Sequence, residues 1–314
     1  MKNVIDEQFL QQLELFGLSV KDNVAGLFGG NHKSKKFGSS CEFADYRDYI
    51  EGDDISKIDW NLYGKFEKMY LKLYLDERQM QTRLYIDCSR SMSYYDKDQY
   101  AVRLATTLSY LSVNEMDKVS IYCIHGNQCE AVLENMVGRD TYMNSIGRLN
   151  KCYFDGDSHL SEAIIRSTVG YGDGRSIIIS DFLTDENYND VIDYLRGKRR
   201  DVLCIQVLAE QEVNPTLRGK TIVHDSEDDN HIYKNNITRD VLKAYKKAVD
   251  YVTHRIDNFC MSRDADYVTA LTSDSMKELF FNKMVQRGII KWAFNILLRS
   301  SPSWPFRFLS LFIF

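Results

Sequence analysis

The run RSIIISD (175–181) constrains this chain most. Three isoleucines stand in a row without polar alternation, so a strand built from them must be covered on both faces. TRLYID (82–87), KVSIYCI (118–124) and DVLCIQVL (201–208) are short apolar runs of the same kind. Helical patterns lie between and after them. Ala101, Leu104, Ala105, Leu108 and Leu111 share one helix face, and residues 158–169 and 187–197 fit two more helices. RDVLKAYKKAVDYVTHRIDNF (239–259) spaces Leu242, Tyr245, Val249, Val252, Ile256 and Phe259 by threes and fours, the mark of a long amphipathic helix. Strand and helix alternating from about residue 82 to 285 predict an α/β fold, a doubly wound and mostly parallel sheet with helices on both faces. Ligands of such sheets bind at the carboxyl ends of the strands.

The strand ends carry chemistry. TRLYID stops at Asp87 and is followed by Ser89, Ser91 and Ser93. That is neither a turn sequence nor a nucleophile with a base. SIIIS stops at Asp181, and DGDSHLSEAI places Asp157 and Ser158 at the start of a helix. Carboxylates and hydroxyls on one rim are hard oxygen donors suited to a small divalent cation, with a coordination position left for an outside carboxylate. Without a cation, Asp87 and Asp181 are expected to face and repel each other. Singly, each residue also reads as a cap: Ser89 and Ser91 for the following turn, Asp181 for a helix near FLTDEN, and Asp157 for its own helix. Taken together on one rim they read as a metal site, Asp157 excepted.

Upstream, residues 5–20 predict a first helix. GLFGGNHKSKKFGSS is a near miss for a phosphate loop, because His32 stands where a glycine must precede the lysine and no strand leads in. YRDYIEGDDISKIDW (46–60) reads as a turn followed by a short helix capped by Asp54, with Ile55, Ile58 and Leu62 on one face. Asp45, Arg47, Asp48, Asp53 and Asp59 suggest a buried ion-pair network fixing this segment to the following domain; the same acidic run can hold a partner's basic residues. KMYLKLYLDE alternates, so it predicts a strand with one wet face.

DCSRS matches the Asp-x-Ser-x-Ser signature of the metal-ion-dependent adhesion site in von Willebrand factor A domains. EFADYRDYIEGDDISKIDWNLYGKFEKMYLKLYLDER (42–78) resembles the hallmark of a bacterial family known only as domain of unknown function 58, where it precedes an A-type domain. Together the resemblances span roughly residues 40–285. They imply a von Willebrand factor A-like domain over 81–287, an N-terminal segment over 1–80, and an apolar tail over 288–314 that extends past the family's usual end. They imply a divalent cation, magnesium with manganese and calcium as alternatives, held by Asp87, Ser89, Ser91 and Ser158, with Asp181 approaching through water. Gly156-Asp157-Ser158-His159-Leu160 stands where the family has Gly-x-Thr-Asp-Leu; Ser158 keeps the hydroxyl, and His159 replaces an aspartate. The resemblance further implies a non-enzymatic, metal-dependent adaptor for protein partners, one offering an acidic side chain to the metal, and working with a MoxR-type AAA ATPase in assembling or maturing other proteins.

Other classes fit less well. A net charge of −5 argues against nucleic acid. Seven scattered cysteines without a C-x-x-C spacing, and six histidines without ligand spacing, suggest reduced thiols in a cytoplasm and no zinc site. Acidic residues interrupt the apolar pattern of the first twenty residues, unlike a signal peptide. The alternative function is a metal-dependent phosphohydrolase with Asp87 as nucleophile. An aspartate so placed resembles the haloacid dehalogenase arrangement, which has a second aspartate two residues on as acid/base; Ser89 stands there and cannot do that work near neutral pH. In the tail, Ile289–Leu298 is too short to span a bilayer, and Pro302 and Pro305 break the remainder. Trp292, Trp304 and the basic residues Lys291 and Arg299 suit either peripheral membrane contact or burial against protein.

Overall fold

The computed structural model of the chain describes residues 3–23, 43–74, 80–183, 187–216, 219–224 and 232–290. In chain order the elements are α1 (Glu7–Asn23), β1 (Phe43–Asp48), α2 (Trp60–Phe66), β2 (Tyr70–Tyr74), β3 (Gln81–Asp87), α3 (Lys97–Asn114), β4 (Lys118–His125), β5 (Gln128–Met136), α4 (Arg139–Ser145), α5 (Leu160–Arg166), β6 (Gly174–Ser180), α6 (Asn189–Gly197), β7 (Arg200–Leu208), α7 (Glu210–Val213), β8 (Gly219–His224), β9 (Ile232–Ile237), α8 (Arg239–Ser262) and β10 (Asp266–Leu271). They form two compact units: residues 29–79, and residues 1–28 together with 80–314.

The larger unit is built on a six-stranded sheet ordered β10-β7-β6-β3-β4-β5. All pairs are parallel except β4 with β5. Numbered along the chain within the sheet, the strands are β3, β4, β5, β6, β7 and β10, and the direction of winding reverses between β3 and β6, as in a doubly wound sheet. This is the von Willebrand factor A-like architecture that the sequence leads one to expect. The unalternating isoleucines have the predicted cause. Ile177 and Ile179 enter one core with Leu84, Ile86, Val119, Ile121 and the apolar face of α3. Ile178 enters the opposite core with Tyr85, Tyr122 and residues of α5, α6 and α8. At the amino ends of the strands Arg200, 1% exposed, donates from Nη2 to the carbonyls of Gln81 (2.5 Å) and Arg175 (2.6 Å), tying β3, β6 and β7 together. Gly174 is required there, because a Cβ would press on the Arg200 guanidinium and the Gln81 carbonyl.

Several features fall outside the predicted runs. β5 is an edge strand with most side chains exposed and a register break against β4, so it carries no long apolar stretch. β10 closes the other edge, and β8 and β9 form a separate antiparallel hairpin. The amphipathic face of α8 is covered only from Val249 onward: Val249, Ile256 and Cys260 are buried, while Val241 and Tyr245 are 46% and 39% exposed. The expected N-terminal segment over 1–80 divides, because α1 belongs to the larger unit. Its Phe9, Leu13 and Phe16 join the α3 core, and Phe16 meets Phe280 edge-on at 5.1 Å.

In the smaller unit β1 and β2 pair antiparallel. Asp54 accepts from the Ser56 amide as a cap, as predicted, but it caps only the 3-10 turn Ile55–Lys57, and the expected helix carrying Ile55, Ile58 and Leu62 divides before α2. Asp59 caps α2 through the Asn61 and Leu62 amides and also accepts from Tyr46 (3.0 Å) and Lys72 (3.2 Å). Burial pushes the Asp59 carboxyl up, and these hydrogen bonds outweigh it, leaving it below its ordinary value. Arg47 grips Asp53 with two bonds of 2.7 Å. The expected ion-pair network is thus partly solvent-exposed, and these pairs run within the segment itself. The Gly- and Lys-rich loop and the tail beyond residue 290 lie outside the described residues. Among the described residues no helix is long and apolar enough to cross a membrane.

Candidate metal centre

β3 and β6 end side by side where the winding of the sheet reverses, and the predicted donors gather there. Asp87 is 1% exposed. Its Oδ1 accepts from Ser158 Oγ (2.7 Å) and the Ser89 amide (2.9 Å), and its Oδ2 from Ser180 Oγ (2.6 Å). Ser89 Oγ lies 3.0 Å from Ser91 Oγ, which donates to Asp181 Oδ2 at 2.8 Å. All five predicted residues therefore form one hydrogen-bonded cluster. Ser89 occupies the capping position of the 3-10 segment Arg90–Asp96 yet makes no side-chain cap bond. Its hydroxyl is committed to the cluster, so the cap reading fails for it.

The loop carrying Ser158 is held by backbone bonds. The Asp155 amide donates to Cys88 O (3.0 Å), Arg90 to Gly156 O (2.8 Å), Gly126 to Asp157 O (2.9 Å) and His159 to Gly126 O (2.8 Å). The Asp157 side chain is exposed and meets His159 Nε2 at 3.4 Å, outside the oxygen cluster. After β6 the chain bends sharply. Phe182 has φ +52°, a left-handed backbone conformation uncommon for a bulky residue, and its amide donates to Ser180 Oγ. The Asp181 carbonyl accepts from Gln206 Nε2 at 2.9 Å, which anchors the bend to β7.

Three participants were not anticipated from the sequence. Ser180 holds Asp87, as above. Lys97, 1% exposed at the first position of α3, donates from Nζ to Asp181 Oδ2 (2.9 Å) and Glu212 Oε1 (2.6 Å). Glu212, on α7, also accepts from the Ala209 amide at 2.8 Å. A cation at a helix amino terminus opposes the helix dipole, so its placement is explained by the two carboxylates. Burial pulls the Lys97 ammonium down, Asp181 and Glu212 outweigh this, and the net shift is upward. Asp87 is raised, first by burial and then by the Asp181 charge, while the serine hydrogen bonds oppose the rise. The expected mutual repulsion of Asp87 and Asp181 is thus only partly relieved, from the Asp181 side.

The donors fit a hard divalent cation. Oxygen ligands at about 2.0–2.1 Å in an octahedron sit about 2.9 Å from their neighbours. The hydrogen-bonded pairs Asp87–Ser158 and Ser89–Ser91, at 2.7 and 3.0 Å, already hold their oxygens about that far apart. Three acids against one ammonium leave an excess of negative charge for a cation to offset. Three and four residues after the half-buried Ser91, Tyr94 and Tyr95 are 46% and 53% exposed.

Known proteins resemble this chain at low identity. It is 24% identical over 234 residues, 72% of its length, to an uncharacterized protein of Mycobacterium tuberculosis (strain ATCC 25618 / H37Rv), of which 73% is covered. An uncharacterized Mycobacterium bovis protein aligns with the same figures. Similar solved structures include an aerotolerance-related membrane protein from Bacteroides fragilis, with 14% identity, a TM-score of 0.36 and coverage of 66% of this chain and 99% of that one. The SpRpn10 VWA domain has 11% identity, a TM-score of 0.36 and coverage of 65% and 95%. Residues 45–255 match the family described as "Protein of unknown function DUF58", and the chain belongs to that family.

Proposed function

We propose that this protein is a non-enzymatic, metal-dependent protein-binding module. Asp87, Ser89, Ser91 and Ser158 hold a divalent cation, magnesium with manganese or calcium as alternatives, with Asp181 reaching it through water. When bound, the cation supplies a positive charge able to take a carboxylate oxygen from a partner. The observation that carries this reading is the convergence of five oxygen-bearing side chains where the winding of the sheet reverses. The exposed Tyr94 and Tyr95, which follow Ser91 within four residues of the chain, suit a protein surface, since aromatic side chains are enriched at interfaces. On the resemblance of the 42–78 segment, the partner is a MoxR-type AAA ATPase, which supplies the energy for assembling or maturing client proteins.

The phosphohydrolase reading asks Asp87 to be a free nucleophile. Both of its oxygens instead accept hydrogen bonds, and the side chain is buried. This favours a role in holding the site over attack on a phosphate.

Calorimetric titration with magnesium and manganese tests the site. Asp87→Asn is the variant to use, because its amide oxygen still accepts from Ser158 and the Ser89 amide while the charge is removed. The expected outcome is one binding event in the wild type and none in Asp87→Asn, with partner capture from native cells lost on chelation. Equal heats for both proteins, or capture indifferent to chelator, overturn the proposal. Magnesium-dependent phosphatase turnover that is lost in Asp87→Asn decides for the enzyme.

A further inference from the structure

On the strand pair that carries Asp87, a second cluster faces the α3 core. Cys123 and His125 are two residues apart on β4, so the pleat turns both side chains to one face. In the parallel register Ile86 pairs with Cys123 and Asp87 with Ile124. Cys88, immediately after β3, therefore lies beside them, its amide bonded to Ile124 O. The ligand atoms of Cys88, Cys123 and His125 all lie within 4.8 Å of one another. Cys152, on the loop leading to Ser158, brings its Sγ to 3.1 Å from Cys123 Sγ. His125 Nδ1 is buried and has no hydrogen-bond partner, and the ring stacks on Tyr153 at 4.1 Å.

We propose that Cys88, Cys123, Cys152 and His125 form a closed, four-ligand site for a thiophilic divalent cation of the zinc type, separate from the oxygen cluster. Three sulfurs and an imidazole are a structural zinc ligand set, and soft donors select against magnesium. Sulfurs at about 2.3 Å from a tetrahedral zinc stand about 3.8 Å apart. The ligand atoms of Cys88, Cys123 and His125 lie within 4.8 Å of one another, and Cys152 Sγ, at 3.1 Å from Cys123 Sγ, is close enough to Cys123 to join them as the fourth donor. Half-buried Cys152, beside the exposed Tyr153, provides the way in. Filled, the site clamps the 152–158 loop to β3 and β4 and so braces Ser158 against Asp87. The four ligands come from three separated segments, which is why no ligand spacing is visible along the chain.

The test uses the full chain, reduced and stripped with chelator, then titrated with cobalt(II) as a spectroscopic probe and afterwards with zinc. The expected result is one equivalent of cobalt giving a thiolate charge-transfer band and tetrahedral visible bands, bleached by zinc. Both features are lost in Cys123→Ser and reduced in Cys152→Ser. They persist in Cys129→Ser, which removes a thiol outside the cluster, and in Asp87→Asn. Should Cys123→Ser fail to fold, the half-buried Cys152→Ser carries the test through the loss of zinc-dependent thermal stabilisation. Absence of the bands in the wild type, their persistence in both cysteine variants, or their loss in Asp87→Asn overturns the proposal. So does a native disulfide mapped between Cys123 and Cys152.

Discussion

Lys97 is the residue that changes the electrostatic account of the cluster. Its ammonium is buried with Asp181 and bonded to two carboxylates, so Asp181 is compensated without any bound ion. Breaking a buried pair by removing one partner costs about 3–5 kcal/mol, because the other charge is left uncompensated. Lys97→Met, which keeps much of the apolar stem, is therefore expected to lower stability by about that amount in chelator. It is also expected to increase the stabilisation gained from magnesium or manganese, since the cation then meets an unpaired Asp181. Urea unfolding of wild type and variant, each with and without cation, measures both effects. An equal gain from cation in the two proteins means Lys97 and the cation do not share the Asp181 charge.

Each element brings its own electrostatics to the sheet. The turn between α3 and β4 places Asp117 partly buried, its amide bonded to Ser112 O. Burial first, and then the neighbouring Glu115 charge, pushes the Asp117 carboxyl up to about 7, while Arg175 pulls the other way. The unfolded chain releases this proton near the ordinary value of 3.8. Above that value and up to about 7 the folded chain holds a proton that the unfolded chain has lost, so stability falls as pH rises. The loss is complete above about 7. Asp117→Asn should come closest to the wild type below about pH 4, where both states are protonated, and exceed it near pH 8. Urea midpoints at the two pH values check this, and a difference of the same size at both rules out the titration as its cause.

For the molecule as a whole, α1 is part of the larger unit's core even though a long stretch of chain separates it from β3. Phe16 is 6% exposed and packs on Phe280 and Phe281. Phe16→Ala should cost about 3–5 kcal/mol, the range for a buried aromatic truncated to alanine. Phe66→Ala, at a side chain 63% exposed, should stay within about 0.5 kcal/mol. Thermal or urea unfolding of the two variants distinguishes them. Comparable small losses for both would mean that α1 contributes little to the folded core.

The repeating pattern along the chain was enough to read the four central strands and α3, α5, α6 and α8, though not α4, and the strand ends with the DCSRS signature pointed to five oxygen-bearing residues that the fold brings together. Those features are local: three isoleucines without alternation demand cover on both faces, and a strand end puts Asp87 or Asp181 on the rim whatever lies around it. The edge strand β5 escaped because a strand exposed on most positions has no apolar run to read. Asp54 was legible as a cap, whereas Asp59 read only as a member of an ion-pair network, and the folded segment makes it the cap of α2 as well as the partner of Lys72. Lys97 and Glu212 are ordinary surface-type residues in the sequence, and folding alone buries them against Asp181. The four atoms of the sulfur–imidazole cluster come from β3's end, β4 and the 152–158 loop. The approach of Cys88, Cys123 and His125 is a consequence of strand register, in which Ile86 stands beside Cys123, and that of Cys152 of where its loop folds back; no spacing along a single chain encodes either.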